Sequence, residues 1–355
     1  MARLEFLHHV TRHRHRVHGL VGVALVLLAG AVWVYGGFAT GMQDFTIVVP
    51  RPPQVFPPKN APTDPHSNGS DDWRHSTQSP AAVKPGIPPK IWQIMLPKKP
   101  LGAKFIADAK ILADTPSWLA MNTDYTYTLV GQEGGEEFVR SHFGSDPRIL
   151  EAYTKMPNVG MKSDLLRYLL LEAEGGVYSD TDTVALKPID DWVPAAIRDQ
   201  VAVVVGLEFD RRDGSHWADI LHDVQFCQWT IAAAPGHAVF RKMAARIVAS
   251  LDDLSAQHGV PFEQLKPSSV EVMNSTGPAA WTDVVFQQLQ EFDPSLTELK
   301  DLWYMTKPRL YGDILVLTID GFGMGQPHSK STSDGTIPEA ALVKHQFKGS
   351  WRGDS

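Results

Sequence analysis

The chain has 355 residues, 43% hydrophobic and 21% charged, a composition that suits a globular protein and excludes a disordered one. Its net charge is −7; the first 39 residues hold four Arg and one Glu, a charge of +3, which leaves −10 for the rest. Since nucleic-acid binding needs clustered Lys and Arg, this balance argues against it. The single cysteine, Cys227, excludes an internal disulfide and a cysteine-rich zinc site.

The first element along the chain is an uncharged stretch of 20 residues from Leu20 to Ala39. A helix of about 20 apolar residues spans the hydrocarbon core of a bilayer. Arginines precede the stretch and Asp44 follows it. The positive-inside rule therefore predicts a cytosolic basic tail at 1–19, a transmembrane signal-anchor at 20–39 and a luminal body. A cleaved signal peptide is the alternative, although its apolar region would be shorter.

A proline-rich segment comes next, with nine prolines between residues 50 and 85. Proline removes amide donors and favours extended conformations, so residues 40–83 are predicted to form a luminal stem. Two glycosylation sequons begin at Asn68, in the stem, and at Asn274. We expect Asn274 to be unmodified, because a glycan beside the predicted site would obstruct it.

The body, residues 84–355, alternates short apolar runs with helical patterns. We predict strands at 90–96, 125–130, 177–183, 201–209 and 226–234, and helices at 105–112, 133–142, 147–155, 161–174 and 237–251. Strands that alternate with helices predict a single α/β domain with a largely parallel sheet.

The chemistry centres on an Asp-x-Asp triplet that directly follows an apolar strand. Because residues i and i+2 of a strand point to one side, Asp180 and Asp182 are predicted to converge on one cation. Carboxylate oxygens suit Mg²⁺ or Mn²⁺, and such an ion can neutralise a departing diphosphate. An acidic turn without a ligand is the alternative for the triplet alone.

A second pair of charges precedes this triplet on the predicted helix 161–174. Asp164 and Arg167 lie one turn apart and share a face of that helix. The return from helix to strand brings the face near the strand end, where α/β proteins bind ligands. One site could therefore hold both aspartates of the triplet together with this pair. The alternative is a surface ion pair.

Together these blocks resemble the sugar-binding region of the glycosyltransferases with a DXD motif, family 32. The blocks that carry the resemblance are Ser163–Tyr168 with Gly175–Asp182, then 87–93, 225–237, 277–283 and a closing His-x-x-x-Gly-Ser-Trp element at 345–351. Blocks 225–237 and 277–283 look like the fungal Golgi α-1,6-mannosyltransferase branch. The resemblance covers about residues 86–351.

The resemblance implies a GT-A (Rossmann-like) fold, a nucleotide-sugar donor, Mn²⁺ or Mg²⁺, and retention of anomeric configuration. Carried over residue by residue, it makes Asp180 and Asp182 the metal ligands, with His345 as a further contact. Asp164 and Arg167 would bind the donor sugar or its phosphates. The alternative for His345 is a surface histidine.

Further residues take expected roles from the same resemblance. On the donor side these are Tyr178 and Trp92. Trp92 could stack on the donor base, but it could equally be a core residue. Asp283 could orient or deprotonate the acceptor hydroxyl, or could be an acid at a helix N-terminus. The residues expected at the acceptor or as a closing element are Trp281, Gly349, Ser350 and Trp351. The chain departs from the family at Ile94-Met95, where a Thr-Trp pair is common, which weakens the inference on the donor base.

The expected activity is transfer of mannose from GDP-mannose to a mannose-containing N-glycan, by a single-pass type II protein of the Golgi membrane that could form complexes with other Golgi transferases. Four alternatives stay open. Two are transferases of the same family, acting on inositol phosphorylceramide or with another sugar donor. The others are a metal-dependent phosphohydrolase and a catalytically silent Golgi interaction protein.

Overall fold

The computed structural model describes residues 45–48, 86–97 and 111–348, apart from 216, 218 and 219. The predictions that lie outside these residues are the cytosolic tail at 1–19, the transmembrane anchor at 20–39, most of the stem with Asn68, most of the helix at 105–112, and Gly349, Ser350 and Trp351. Among the described residues, no helix has the length and apolar character needed to cross a membrane.

The described body contains runs of helices separated by runs of strands. The strands are β1 (Phe45–Val48), β2 (Lys90–Ile94), β3 (Thr126–Val130), β4 (Gly176–Ser179), β5 (Thr183–Ala185), β6 (Val203–Asp210), β7 (Val224–Phe226), β8 (Thr230–Ala233), β9 (Arg309–Tyr311), β10 (Ile314–Leu317) and β11 (Val343–His345). The helices are α1 (Thr115–Met121), α2 (Gln132–Phe143), α3 (Pro147–Lys155), α4 (Val159–Glu174), α5 (Ala238–His258), α6 (Ser269–Ser275), α7 (Pro278–Phe292) and α8 (Ile319–Gly323).

The main sheet is mixed rather than largely parallel as expected. Its order is β1-β3-β2-β4-β8-β6-β10-β9, with β7 against β6. Strand β2 is parallel to β3 and β4, but β8 lies antiparallel between β4 and β6. In the part of the chain that the structure describes, β6 returns to β8 through β7 without an intervening helix. A parallel neighbour needs a longer crossover, usually a helix, and this is why the expectation failed.

Helices cover both faces of this sheet. Alternate residues of β6 point to opposite faces, so Val203 belongs to one apolar cluster and Val204 to the other. The first cluster is built from α4, α5 and α7, and the second from α1 and α8. Leu165, Leu166, Leu169 and Leu170 form a stripe at helical spacing on α4 and are wholly buried in the first cluster, so α4 is fixed against the sheet.

Most predicted elements of the body are present within a few residues, although α5 continues to His258. Two predicted strands are wrong in one respect, because each is split in two. The chain leaves the sheet between Phe226 and Thr230, and again between Ser179 and Thr183. The second break matters for the site, because Asp180 and Asp182 lie in a turn and not on a strand.

Side-chain and backbone hydrogen bonds close this turn. The Asp180 amide donates to the carbonyl of Trp229 at 2.8 Å, and the Thr183 hydroxyl donates to the carbonyl of Asp180 at 2.6 Å. The two aspartates therefore come together through turn geometry, and the strand alternation on which we based the expectation is not the cause.

Candidate active site

A tight glycine turn joins α4 to β4 and aligns the charged face of the helix with the strand end. Gly175 and Gly176 have φ of 64° and 101°, values that favour glycine. A Cβ at Gly176 would lie 2.8 Å from the carbonyl oxygen of Lys90, and one at Gly175 would lie 2.7 Å from that of Ala233. Only glycine fits both the backbone conformation and the space at these positions.

Three predicted metal ligands meet beyond this turn. Strand β11 pairs with β5 so that His345 lies opposite Thr183, beside the turn that carries the aspartates. The Nε2 atom of His345 is 3.3 Å from Asp182 Oδ1 and 3.8 Å from Asp180 Oδ2. Ligand atoms of the three residues all lie within 4.8 Å of one another. Two carboxylates and one imidazole form a donor set that fits a divalent cation.

Burial and hydrogen bonds together set the charge states of His345 and Asp182. Burial opposes the charged form of His345, but its hydrogen bonds with Asp180 and Asp182 raise its pKa to about 9. The Phe347 amide donates to Nδ1 at 3.0 Å, so the ring proton that faces the two carboxylates is on Nε2. Burial also disfavours charge on Asp182, yet His345 and the Lys348 amide, at 2.9 Å, lower the pKa of this carboxyl. The cluster is therefore held as a histidine shared between two carboxylates.

The ring of Trp229 packs against that of His345. The Trp229 ring lies 4.7 Å from that of His345, centroid to centroid, and its indole N–H donates to the Phe322 carbonyl at 3.3 Å. No spacing along the sequence relates Trp229 to His345. The contact exists only because the C-terminal strand returns to the turn.

Beside the cluster, Arg167 joins Asp164 to the Asp-x-Asp turn. Its guanidinium is 2.8 Å from Asp164 Oδ1 and 3.5 Å from Asp180 Oδ1. It also lies over the ring of Tyr178, at 4.7 Å, and the Tyr178 hydroxyl donates to Asp180 Oδ1 at 2.5 Å. The structure thus brings Asp164, Arg167, Tyr178 and Asp180 into one network.

Asp164 has further partners that the sequence analysis missed. The Thr276 hydroxyl donates to its Oδ2 at 2.8 Å, and Gln228 donates to its Oδ1 at 3.3 Å. Burial raises the pKa of Asp164 to about 6, while Arg167 and these two donors act against the rise. Thr276 is the hydroxyl residue of the second sequon, a signal that we had assigned only to glycosylation. The exposed Asn274 lies two residues before it, and its modification stays a prediction.

Two tryptophans predicted at the site lie in the core. Trp92 is 7% exposed, and its indole N–H donates to the Gly175 carbonyl at 2.8 Å. Trp281 is fully buried, stacked between Tyr168 at 5.1 Å and Phe240 at 5.7 Å. In this structure Trp92 supports the glycine turn and Trp281 packs behind α4, so neither ring is open to a donor base or an acceptor.

Asp283 lies on α7 with partners of its own. Arg246 is 2.6 Å from its Oδ2 and His222 is 3.0 Å from its Oδ1. Within the described part of the chain, no hydrogen bond or ion pair joins Asp283 to Asp180 or Asp182. Its expected role toward an acceptor stays a prediction.

The sequence is similar to those of known glycosyltransferases. Residues 110–198 match the family "Glycosyltransferase sugar-binding region containing DXD motif". The chain is 37% identical to the initiation-specific alpha-1,6-mannosyltransferase of Schizosaccharomyces pombe, over 76% of this chain and 64% of that protein. It is 33% identical to the protein of the same name from Candida albicans, over 67% of this chain and 66% of that protein. The chain thus spans slightly under two thirds of each relative.

Among solved structures, the PaToxG glycosyltransferase is similar with a TM-score of 0.37 at 19% identity, over 60% of this chain and 73% of that one. This similarity is too low to bear on the site.

Proposed function

Because the chain belongs to the glycosyltransferases whose sugar-binding region contains a DXD motif, we propose that it is a metal-dependent, retaining transferase with a GT-A fold. The observation that carries the proposal is the convergence of Asp180, Asp182 and His345, whose ligand atoms lie within 4.8 Å of one another, beside the buried Arg167.

Each member of the network has a distinct task in such a transfer. Asp180, Asp182 and His345 would hold Mn²⁺ or Mg²⁺, which when bound neutralises charge on the donor's phosphates. Arg167 is fixed by two carboxylates, so its charge is already in place where negative charge develops on the departing diphosphate. Asp164 would accept hydrogen bonds from hydroxyls of the donor sugar.

The proposed donor is GDP-mannose and the proposed acceptor a mannose-containing N-glycan. This choice is supported by the two relatives named as initiation-specific alpha-1,6-mannosyltransferases. Retention would follow if the acceptor hydroxyl attacks on the face from which the diphosphate leaves. We further propose a type II protein of the Golgi membrane, anchored by residues 20–39, with the site in the lumen.

The test measures nucleoside diphosphate release by the purified full chain. The donors are GDP-mannose, UDP-glucose and UDP-galactose, each with Mn²⁺ or a chelator, and with or without a mannose oligosaccharide. We expect Mn²⁺-dependent release of GDP that the oligosaccharide accelerates. Asp182→Ala should abolish it, because a carboxylate of the metal cluster is lost. Asp191→Ala, at an exposed acid outside the network, is the matched control.

The outcomes distinguish the alternative donor, the alternative acceptor and the catalytically silent protein that the sequence leaves open. Release from a uridine donor alone would replace mannose as the sugar. A further arm adds inositol phosphorylceramide as the acceptor; release of GDP that this lipid accelerates and the oligosaccharide does not would replace the proposed acceptor. A folded protein that releases nothing from any donor would refute the transferase proposal and favour a silent interaction protein.

A further inference from the structure

Glu208, near the end of β6, lies at the same edge of the sheet as the metal cluster. Both β4 and β6 are antiparallel to β8, so they run in one direction. Ala233 of β8 is opposite Gly176 of β4 and also opposite Val203 of β6. Asp180 comes four residues after Gly176, and Glu208 comes five after Val203. Glu208 and the Asp-x-Asp turn therefore lie toward the same end of the sheet, with a shift in register between Leu207 and Phe209 where β6 pairs with β7.

The helix beside Glu208 also connects to the cluster. A Cβ at Gly323 of α8 would lie 3.2 Å from the Cα of Glu208, so α8 packs directly on this part of β6. The preceding residue, Phe322, accepts the hydrogen bond from Trp229, whose ring supports His345. Electrostatics agree with this position: burial raises the pKa of Glu208 to about 7, and the charge of His345 acts in the opposite direction.

Glu208 differs from the other buried carboxylates among the described residues. Those carboxylates are Asp164, Asp182, Glu208, Asp210 and Asp313. Three of them have a cationic partner: Asp164 pairs with Arg167, Asp182 with His345 and Asp210 with Arg212. Asp313 lies 3.3 Å from the His237 imidazole. Glu208 is 6% exposed and has no ion pair within the described residues. A buried carboxylate without a cation costs stability, which points to a functional reason for its presence.

The one described partner of Glu208 leaves a further polar atom unsatisfied. The side-chain amide of Gln225 donates to Glu208 Oε1. The Gln225 Oε1 atom is buried and has no hydrogen-bond partner within the described residues. Gln225 itself is fully buried, so a ligand would meet the carboxylate of Glu208, an acceptor that suits hydroxyl donors such as those of a sugar.

We propose that Glu208 contacts the acceptor glycan and accepts a hydrogen bond from one of its hydroxyls, an inference that rests on the proposed transferase function. The donor-side pair, Asp164 and Arg167, reaches the Asp-x-Asp turn from the face of the sheet that α4 covers. Glu208 is on the strand that α8 covers from the opposite face. The donor sugar and the acceptor sugar must meet at this turn. The donor sugar lies on the side of Asp164 and Arg167, and Glu208 is on the side left for the acceptor sugar.

The test compares two rates in the full chain carrying Glu208→Gln: mannosyl transfer to a mannose oligosaccharide, and Mn²⁺-dependent GDP release to water without acceptor. We expect the acceptor kcat/KM to fall roughly 10- to 100-fold, as for loss of a hydrogen bond to a charged group. GDP release to water should stay near the wild-type rate. Glu208→Asp, which keeps the charge but shortens the side chain, should show the same selective loss to a smaller extent.

The matched control is Asp313→Asn, the same carboxylate-to-amide change at a buried residue that pairs with His237. It should leave the ratio of transfer to hydrolysis unchanged, even if thermal unfolding shifts. Equal loss of both rates in Glu208→Gln, or no loss of either, would overturn the acceptor contact while the transferase function stands. A wild-type chain that neither hydrolyses nor transfers from any donor would refute the transferase function, and the Glu208 contact with it.

Discussion

At the scale of single residues, the surroundings of Asp164 set its charge. The carboxyl is buried, and burial alone favours its neutral form. Arg167, Thr276 and Gln228 all favour the ionised form. The pKa of about 6 is the balance of these effects, so Asp164 loses its charge as the pH falls through 6. Its pairing with Arg167 and its capacity to accept sugar hydroxyls decline over the same range.

Thr276→Val should move the acid limb of the donor kcat/KM to higher pH. The change removes a hydrogen bond to the ionised carboxyl with little change in volume, so the pKa of Asp164 should rise by roughly one unit. The measurement is a pH profile from 5 to 8. The control is Thr282→Val, because that buried hydroxyl donates to the Pro278 carbonyl and not to Asp164. A limb that stays in place in Thr276→Val would contradict the assignment.

The raised pKa of His345 predicts that metal affinity rises with pH. Its pKa is raised to about 9, so at pH 7 the metal-free protein holds a proton that the cation must displace. Apparent Mn²⁺ affinity should increase by up to about tenfold per pH unit below 9. Conversely, the proton stabilises the metal-free fold below the ordinary histidine pKa, and this contribution is lost as the pH rises through 9.

Calorimetric titrations with Mn²⁺ at pH 6, 7 and 8 measure this slope. In His345→Gln the slope should flatten, since the titrating ligand is gone. The same pH dependence in both proteins would mean that His345 does not bind the cation.

At the scale of elements, features set by neighbouring residues could be predicted from the sequence, whereas features set by long-range contacts could not. Hydrophobic spacing indicates the buried stripe of α4, and the Gly175–Gly176 pair marks the end of that helix, because both signals lie within one or two turns of the chain. The break after Ser179 could not be predicted, since it depends on a hydrogen bond from Asp180 to Trp229, in the segment between β7 and β8. Thr276 and Gln228 escaped notice for the same reason.

The glycine turn gives a prediction about stability. Gly176→Ala should destabilise the fold by roughly 2–5 kcal/mol, since the new Cβ adds a clash with Lys90 to an unfavourable φ. The control is Gly259→Ala, where φ is 65° but nothing lies within 4 Å, so only about 1 kcal/mol is expected. Urea unfolding monitored by circular dichroism compares the two. Equal losses would show that space around Gly176 does not matter.

At the scale of the whole molecule, the order of elements was predictable but the direction of the strands was not. Alternating strand and helix patterns predicted an α/β body, yet the pattern of β8 cannot reveal that it returns antiparallel between β4 and β6. The return of β11 to β5, which places His345, is likewise a long-range pairing. The metal cluster combines one local motif, found directly, with one distant residue that only the family resemblance indicated.

The distribution of charge predicts how the molecule lies in a membrane. Four arginines precede the uncharged residues 20–39, so the tail should stay cytosolic and the body should cross into the lumen. In sealed microsomes, a C-terminal epitope should resist added protease until detergent opens the vesicles, whereas an N-terminal epitope should be digested at once. Replacing Arg12, Arg14 and Arg16 with Glu should expose part of the C-terminal epitope, because it removes the charge bias. Digestion of that epitope in intact vesicles of the unaltered chain would refute the luminal placement of the site.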